Sequence, residues 1–235
     1  MIDRKSLRLS AVLLVAGFIL YVLVGLLHPD GPANNHTVVF AEYAHNASWT
    51  AVHLGQFVGM AVVIAGLLVL CAALDVRAGR PGWAEWAGRL GAAAAVVALA
   101  LYGVLQAVDG VALKQAVDAW ARAPAAEQAA RFASAEVVRW LEWGVRSYQS
   151  VVFGLALVLV AAAIVGTARI PRAIGYLMGA SGVTYLVQGW VLGAEGFSAT
   201  NTVPQLLAYA LVLAWSIWLL VIAWRMGAAV DAPAG

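Results

Sequence analysis

Six predominantly apolar stretches, at roughly 8–27, 51–74, 87–109, 147–168, 173–194 and 204–225, alternate with short polar segments along this chain. Each is close to the ~20 residues that an α-helix needs to cross the hydrocarbon core of a bilayer. Breakers separate them: His28-Pro29-Asp30-Gly31-Pro32, Gly79-Arg80-Pro81-Gly82, Ile170-Pro171-Arg172 and the stretch from Gly193 to Pro204. The pattern predicts an all-α, polytopic membrane helix bundle of six transmembrane helices, a single domain over residues 1–235. Residues 110–146 interrupt the alternation with mixed charges. They predict one or two amphipathic helices at the membrane surface, the second running into helix four.

Composition removes the soluble alternative. The 235 residues are 63% hydrophobic and 11% charged, against about 45–50% and 25% in soluble domains. A soluble fold of this length could not hide so much apolar surface, so the excess faces lipid and the bilayer is the first expected partner. A net charge of +2, spread over helix ends, forms no nucleic-acid-binding patch. The one cysteine, Cys71, excludes an internal disulfide or a thiolate zinc cluster. Arg4, Lys5 and Arg8 before the first run resemble a signal peptide, but no small-residue cleavage site follows, so a retained first helix is expected. The Ala-, Val- and Gly-rich composition, with Arg used over Lys, reads as bacterial.

The basic residues orient the bundle. Arg4, Lys5 and Arg8 precede span one; Arg77, Arg80 and Arg89 lie between spans two and three; Arg169 and Arg172 lie between four and five; Arg225 follows six. The segments 28–50 and 195–203 carry no Lys or Arg. The positive-inside rule then places both termini in the cytoplasm of a bacterial cytoplasmic membrane, with 28–50, 110–146 and 195–203 outside. Lys114, Arg122, Arg131, Arg139 and Arg146 are the exception, in the long outer segment.

Polar positions inside the spans follow helical spacing. Trp49, His53 and Gln56 share one face; so do Tyr102, Gln106 and Asp109; Ser181, Tyr185, Gln188 and Glu195 form a third stripe. Arg139, Glu142 and Arg146 are spaced for ion pairing. With the inferred orientation these groups fall in the outer half of the bundle. Contacts such as Gln106–Gln188 could simply join helices, at about 0.6 kcal/mol each. Stripes biased to one side instead suggest a shared polar cavity open to the outside, because ionisable groups at membrane depth turn toward one another or toward water.

All four histidines lie between His28 and His53, with Glu42 among them. Imidazole with carboxylate suits a transition metal. His28 and His53 end adjacent helices on the same side and are the first ligand candidates, with His36 and Glu42 next; a haem between His28 and His53 is the further option. No G-x-S-x-G elbow, phosphate loop, dinucleotide fingerprint or HExxH motif is present.

The run Arg169-Ile170-Pro171-Arg172-Ala173-Ile174-Gly175-Tyr176, followed by a Gly-rich helix, resembles a family of small six-helix bacterial membrane proteins of unknown function. The resemblance implies architecture and supplies no catalytic residues. Three functions therefore remain open from sequence. The first is an outward-facing cavity that binds a small amphiphile, lipid or ion. The second is a metal- or haem-dependent membrane enzyme using the His/Asp/Glu cluster. The third is an accessory subunit of a larger membrane complex; a homo-oligomer is a further assembly the sequence leaves open. An alternating-access transporter would need polar lining through the inner half, which is nearly all aliphatic.

Overall fold

A computed structural model describes residues 3–29, 31–74 and 82–228. Asp30, Arg77 and the turn Gly79-Arg80-Pro81 lie outside the described residues, as does the chain from 229 onward. Among the described residues the fold is all-α: α1 (Arg4–Gly25), α2 (His36–His45), α3 (Trp49–Leu74), α4 (Trp83–Ala107), α5 (Lys114–Ala121), α6 (Ala125–Thr167), α7 (Arg172–Glu195) and α8 (Thr202–Ala228). A π-helical turn, Val108–Leu113, joins α4 to α5 without a break.

Five helical rods are long and apolar enough to cross a membrane: Arg4–Gly25, Trp49–Leu74, Trp83–Ala121, Ala125–Thr167 and the last, from Ala199 to Met226. Several such rods make this a multi-pass membrane protein. The sixth long helix, α7, spans 24 residues, or about 36 Å at 1.5 Å per residue. Its polar and glycine content keeps it below the apolarity of the others.

The six long helices close a ring in the packing order α3, α1, α8, α7, α6, α4 and back to α3. Small residues set the close seams. A Cβ on Gly154 of α6 would lie 2.6 Å from the Gly182 carbonyl oxygen of α7, and one on Gly182 would lie 2.7 Å from that of Gly154. This is the backbone approach by which helices associate in lipid, where burial of apolar surface gives no drive. The core between the rods is one cluster that includes Leu14, Leu67, Tyr102, Leu157, Met178 and Trp215.

The start of α1 and the end of α8 share one end of the ring: Arg8 Nε donates to Ala223 O at 3.2 Å and the Arg8 guanidinium stacks over Trp224. The opposite end carries a cap. There α4 continues into α5, and the first turns of α6 return beside it. α2 closes over both through a second cluster, Val39, Phe40, Tyr43, Trp49, Leu113, Val117 and Ala135. Segment 28–50 contains α2, started by Asn35, whose Oδ1 accepts from Val38 N at 3.3 Å. Segment 110–146 holds two helical stretches: the second runs into the fourth span as expected, as part of α6, unbroken for 43 residues, while the first, α5, continues α4 and is not a separate surface helix.

Candidate functional site

The ring is filled with side chains toward the terminal end and hollow toward the capped end. The hollow is a cavity of about 690 Å³. Gln56 of α3, Tyr102 and Gln106 of α4, Asp109 of the π turn, and Gln188 of α7 all line it. Arg139, Glu142 and Arg146 line it from α6, and His28, Tyr21 and Tyr209 complete the wall. Gln106 and Gln188 therefore face the same space from α4 and α7, the two neighbours of α6 in the ring, each with an unpartnered buried amide oxygen. Leu26 and Leu206 also line it while 75% and 62% exposed. They mark where the wall between α1 and α8 reaches the protein surface.

The π turn determines where Asp109 points. A π turn leaves the carbonyls of its wider loop without their usual helical partners, and such turns recur at functional sites. Here α3 supplies the partners. Trp49 Nε1 donates to Asp109 O at 2.9 Å, and Thr50 Oγ1 donates to Gly110 O at 2.8 Å. The approach requires glycine: a Cβ on Gly110 would lie 2.6 Å from His53 Cβ. The turn is thus held against the first turn of α3, with the Asp109 carboxylate beside His53.

His53 Nε2 lies 3.0 Å from Asp109 Oδ2. Nε2 and Asp109 Oδ1 lack a hydrogen-bond partner. The contact is a close approach and not a directed hydrogen bond. On the other side of the ring, Nδ1 lies 2.8 Å from Trp49 O. A carbonyl only accepts, so Nδ1 carries the hydrogen and Nε2 is the nitrogen left for Asp109. His28 repeats the arrangement: Nδ1 donates to Pro29 O at 3.0 Å. The His28 and His53 ring centroids are 5.4 Å apart, and Trp49 packs on both at 4.8 and 4.5 Å. Burial holds the His28 imidazole below its ordinary pKa. The nearby His53 and Arg139 act in the same direction, opposed by Asp109. His28 is therefore neutral at pH 7.

Arg139 and Glu142 form a buried pair across one turn of α6, Nη1 to Oε2 at 2.5 Å. Arg139 Nη2 also donates to Ala33 O at 3.2 Å, and the guanidinium lies over Phe197, 4.9 Å from its centroid. Burial raises the nearby Tyr43 hydroxyl above its ordinary pKa. Arg146 is different. No carboxylate among the described residues lies within 4.0 Å of it. Its contacts are Gln149 Oε1 at 3.4 Å, the Tyr102 face at 6.0 Å, and the electrostatic influence of Tyr21, Tyr102 and Tyr209.

Other candidates lie elsewhere. Tyr185 is core, packed edge-on against Phe153 at 4.8 Å. Glu195 is at the end of α7, accepts from Ser198 Oγ at 2.7 Å, and is held below its usual carboxylate pKa by that hydroxyl. His36 pairs with Glu136 at 3.0 Å, and Glu42 packs against Gly31. A haem does not fit between His28 and His53. Two imidazoles axial to one iron stand roughly 6 Å apart, with metal–nitrogen bonds of about 2 Å on each side. These rings are closer than that and meet edge to face at 62°.

The candidate metal-ligand group among the described residues is thus His28, His53 and Asp109, whose donor atoms all lie within 4.8 Å of one another. His53, expected to face the cavity, is not one of its wall residues; it contacts Asp109, which is. The sequence grouped Asp109 with the histidines in one outer cluster but placed His36 and Glu42, not Asp109, next after His28 and His53 as ligands; the Asn201–Gln205–Tyr209 run along α8 was not joined to them. The only signals for Asp109 and this run were helical spacing and the glycine after Asp109.

Comparison with curated proteins and with solved structures returns no significant match. Residues 87–223 match the family described as a domain of unknown function, DUF4386. The match runs from the start of α4 to near the end of α8 and includes Asp109, Arg139, Glu142, Arg146 and Gln188, while His28 and His53 precede it. With more than half of its length matched, the chain belongs to the DUF4386 family.

Proposed function

We propose that this protein is a six-span protein of the bacterial cytoplasmic membrane, with both termini in the cytoplasm. In this reading its outward-facing cavity binds the anionic head of a small amphiphile or lipid. Parity supports the sixth span. Five crossings would leave the termini on opposite sides of the membrane, yet Arg8 touches Ala223. The basic residues at the terminal end, Arg4, Lys5, Arg8, Arg169, Arg172 and Arg225, support a cytoplasmic placement of that end.

The observation that carries the binding reading is Arg146. A guanidinium at membrane depth is costly, on the order of 2.5–3.5 kcal/mol on insertion scales, and such groups are normally paired. Arg139 has Glu142 and Asp109 has His53, whereas Arg146 faces the cavity without an acid. A phosphate or carboxylate would complete it, and guanidinium matches both in a bidentate fashion. The exposed Leu26 and Leu206 at the cavity wall offer an apolar exit for an acyl chain between α1 and α8.

Thermal shift in mild detergent tests this, with lysophosphatidylglycerol, a long-chain fatty acid and an uncharged monoacylglycerol. Both anionic amphiphiles are expected to raise the unfolding midpoint, by up to about 2.7 kcal/mol of added stability at a hundredfold excess over Kd. The monoacylglycerol is not, and Arg146→Gln should abolish the difference. Response to only one anionic amphiphile identifies its headgroup as the ligand. Equal response to all three, or an unchanged response in Arg146→Gln, overturns the reading.

A further inference from the structure

We propose that His28, His53 and Asp109 bind a single divalent first-row transition-metal ion, with its open coordination positions turned to the cavity. The inference does not depend on the amphiphile reading, since it concerns a different group of residues from Arg146.

The geometry is close to what one ion requires. With metal–nitrogen bonds of about 2.0–2.1 Å at tetrahedral angles, two ligating imidazoles have centroids roughly 5 Å apart, and adjacent donor atoms sit roughly 3.3 Å apart. The His28–His53 centroid separation is 5.4 Å and the His53 Nε2–Asp109 Oδ2 distance is 3.0 Å. The donor set spans at most 4.8 Å, so closing it needs a side-chain adjustment of His28 at the end of α1 and no movement of a helix.

The surroundings are those of ligands held in place. Each histidine donates Nδ1–H to a backbone carbonyl, Pro29 O or Trp49 O, which leaves Nε2 as the lone-pair nitrogen. Such outer contacts fix tautomer and ring orientation at metal centres. Trp49 holds all three residues at once: it packs on both imidazoles and donates to Asp109 O. Asp109 Oδ1 and His53 Nε2 are buried without a hydrogen-bond partner, and a cation between them would use both. Two imidazoles and one carboxylate form the donor set of open, non-structural sites, binding Zn²⁺ or Fe²⁺ with further positions free. Those positions would face a cavity in which His28 and Asp109 are wall residues.

The full-length protein, purified with a tag that contains no histidine and stripped of metal, is titrated with Co²⁺ and with Zn²⁺. One equivalent of Co²⁺ is expected to bind with a visible ligand-field band, and Zn²⁺ to displace it. His28→Ala and Asp109→Asn should each weaken Zn²⁺ binding at least about tenfold, while His36→Ala and His45→Ala bind as the parent does. X-ray absorption of the zinc-loaded parent should count two imidazoles and one or more oxygens, a readout that needs no variant to fold. Absence of saturable binding, parent-like affinity in folded His28→Ala and Asp109→Asn, or a zinc shell without imidazole overturns the assignment. All of these are read without amphiphile, so they fail or succeed separately from the headgroup test.

Discussion

Removing Glu142 should destabilise the fold far more than removing an acid from an ion pair at the surface. The Arg139 and Glu142 side chains are 3% and 2% exposed, and the pair belongs to one turn of α6 facing the cavity. Deleting one partner of a buried pair costs about 3–5 kcal/mol, because the other charge stays buried and uncompensated. Here the stranded guanidinium keeps its bond to Ala33 O and its position over Phe197 and Tyr43, at 4.9 and 5.6 Å. Cation–π contacts contribute about 0.5–2 kcal/mol each depending on desolvation. These residual contacts place Glu142→Ala at the lower end, about 3 kcal/mol. A chain of this size loses roughly 2–4 °C of Tm per kcal/mol, giving a drop on the order of 10 °C. Intrinsic fluorescence of the ten tryptophans reads the midpoint in mild detergent. Glu127 is the internal control: its pair with Arg131 is 55% and 53% exposed, worth ~0–1 kcal/mol. If Glu142→Ala lowers the midpoint no more than Glu127→Ala, the pair is in water and the cap does not seal it. Arg139→Ala in the Glu142→Ala background should recover part of the loss, since no unpaired charge then remains.

Three further outcomes follow from single contacts. Gly110→Ala places a Cβ 2.6 Å from His53 Cβ, so it should lower the melting midpoint and weaken Zn²⁺ binding together; retention of both would show that the π turn can shift without consequence. Gly154→Val should separate α6 from α7 and lower detergent stability sharply, whereas Gly144→Ala, with nothing within 4 Å of its added Cβ, should be neutral or stabilising by up to about 1 kcal/mol. Single cysteines at Ala33 and Ala199, in a Cys71→Ala background, should react with an impermeant maleimide on intact spheroplasts; labelling only after permeabilisation would invert the topology.

The apolar runs marked the rods because lipid exposure demands them, and that demand is written residue by residue. Helix ends were harder to read. The expected spans stopped at Asp109 and began again at Ser147, where polar residues appear, but a polar helix can continue into a cap. Between Gly82 and Ile170 the chain contains a single proline, Pro124, and the helices turn there. Proline cannot donate to a preceding helix and disfavours it sterically. Backbone chemistry, not the change from apolar to polar, set the boundary. α2 was missed for a related reason: its ten residues are too few to span, and its apolar face, Val39, Phe40 and Tyr43, meets protein and not lipid.

Within the site, sequence spacing grouped residues along each helix but could not say which helices would face one another. It offered Glu142 two arginines; the structure gives it Arg139 alone and leaves Arg146 among tyrosines. It placed His28 and His53 at adjacent helix ends and Asp109 on the Tyr102–Gln106 face, and grouped them only by their shared outer half. What joins them is the π turn, and no local signal in Val108–Leu113 beyond Gly110 announces it. Its cause is tertiary: Trp49 and Thr50, sixty residues earlier, take the Asp109 and Gly110 carbonyls. An α-helix through the same residues would keep those carbonyls for itself and rotate Asp109 relative to His53. Trp49 and Thr50 thus exchange local helical bonds for bonds between helices, and that exchange turns three polar positions on separate elements into one cluster.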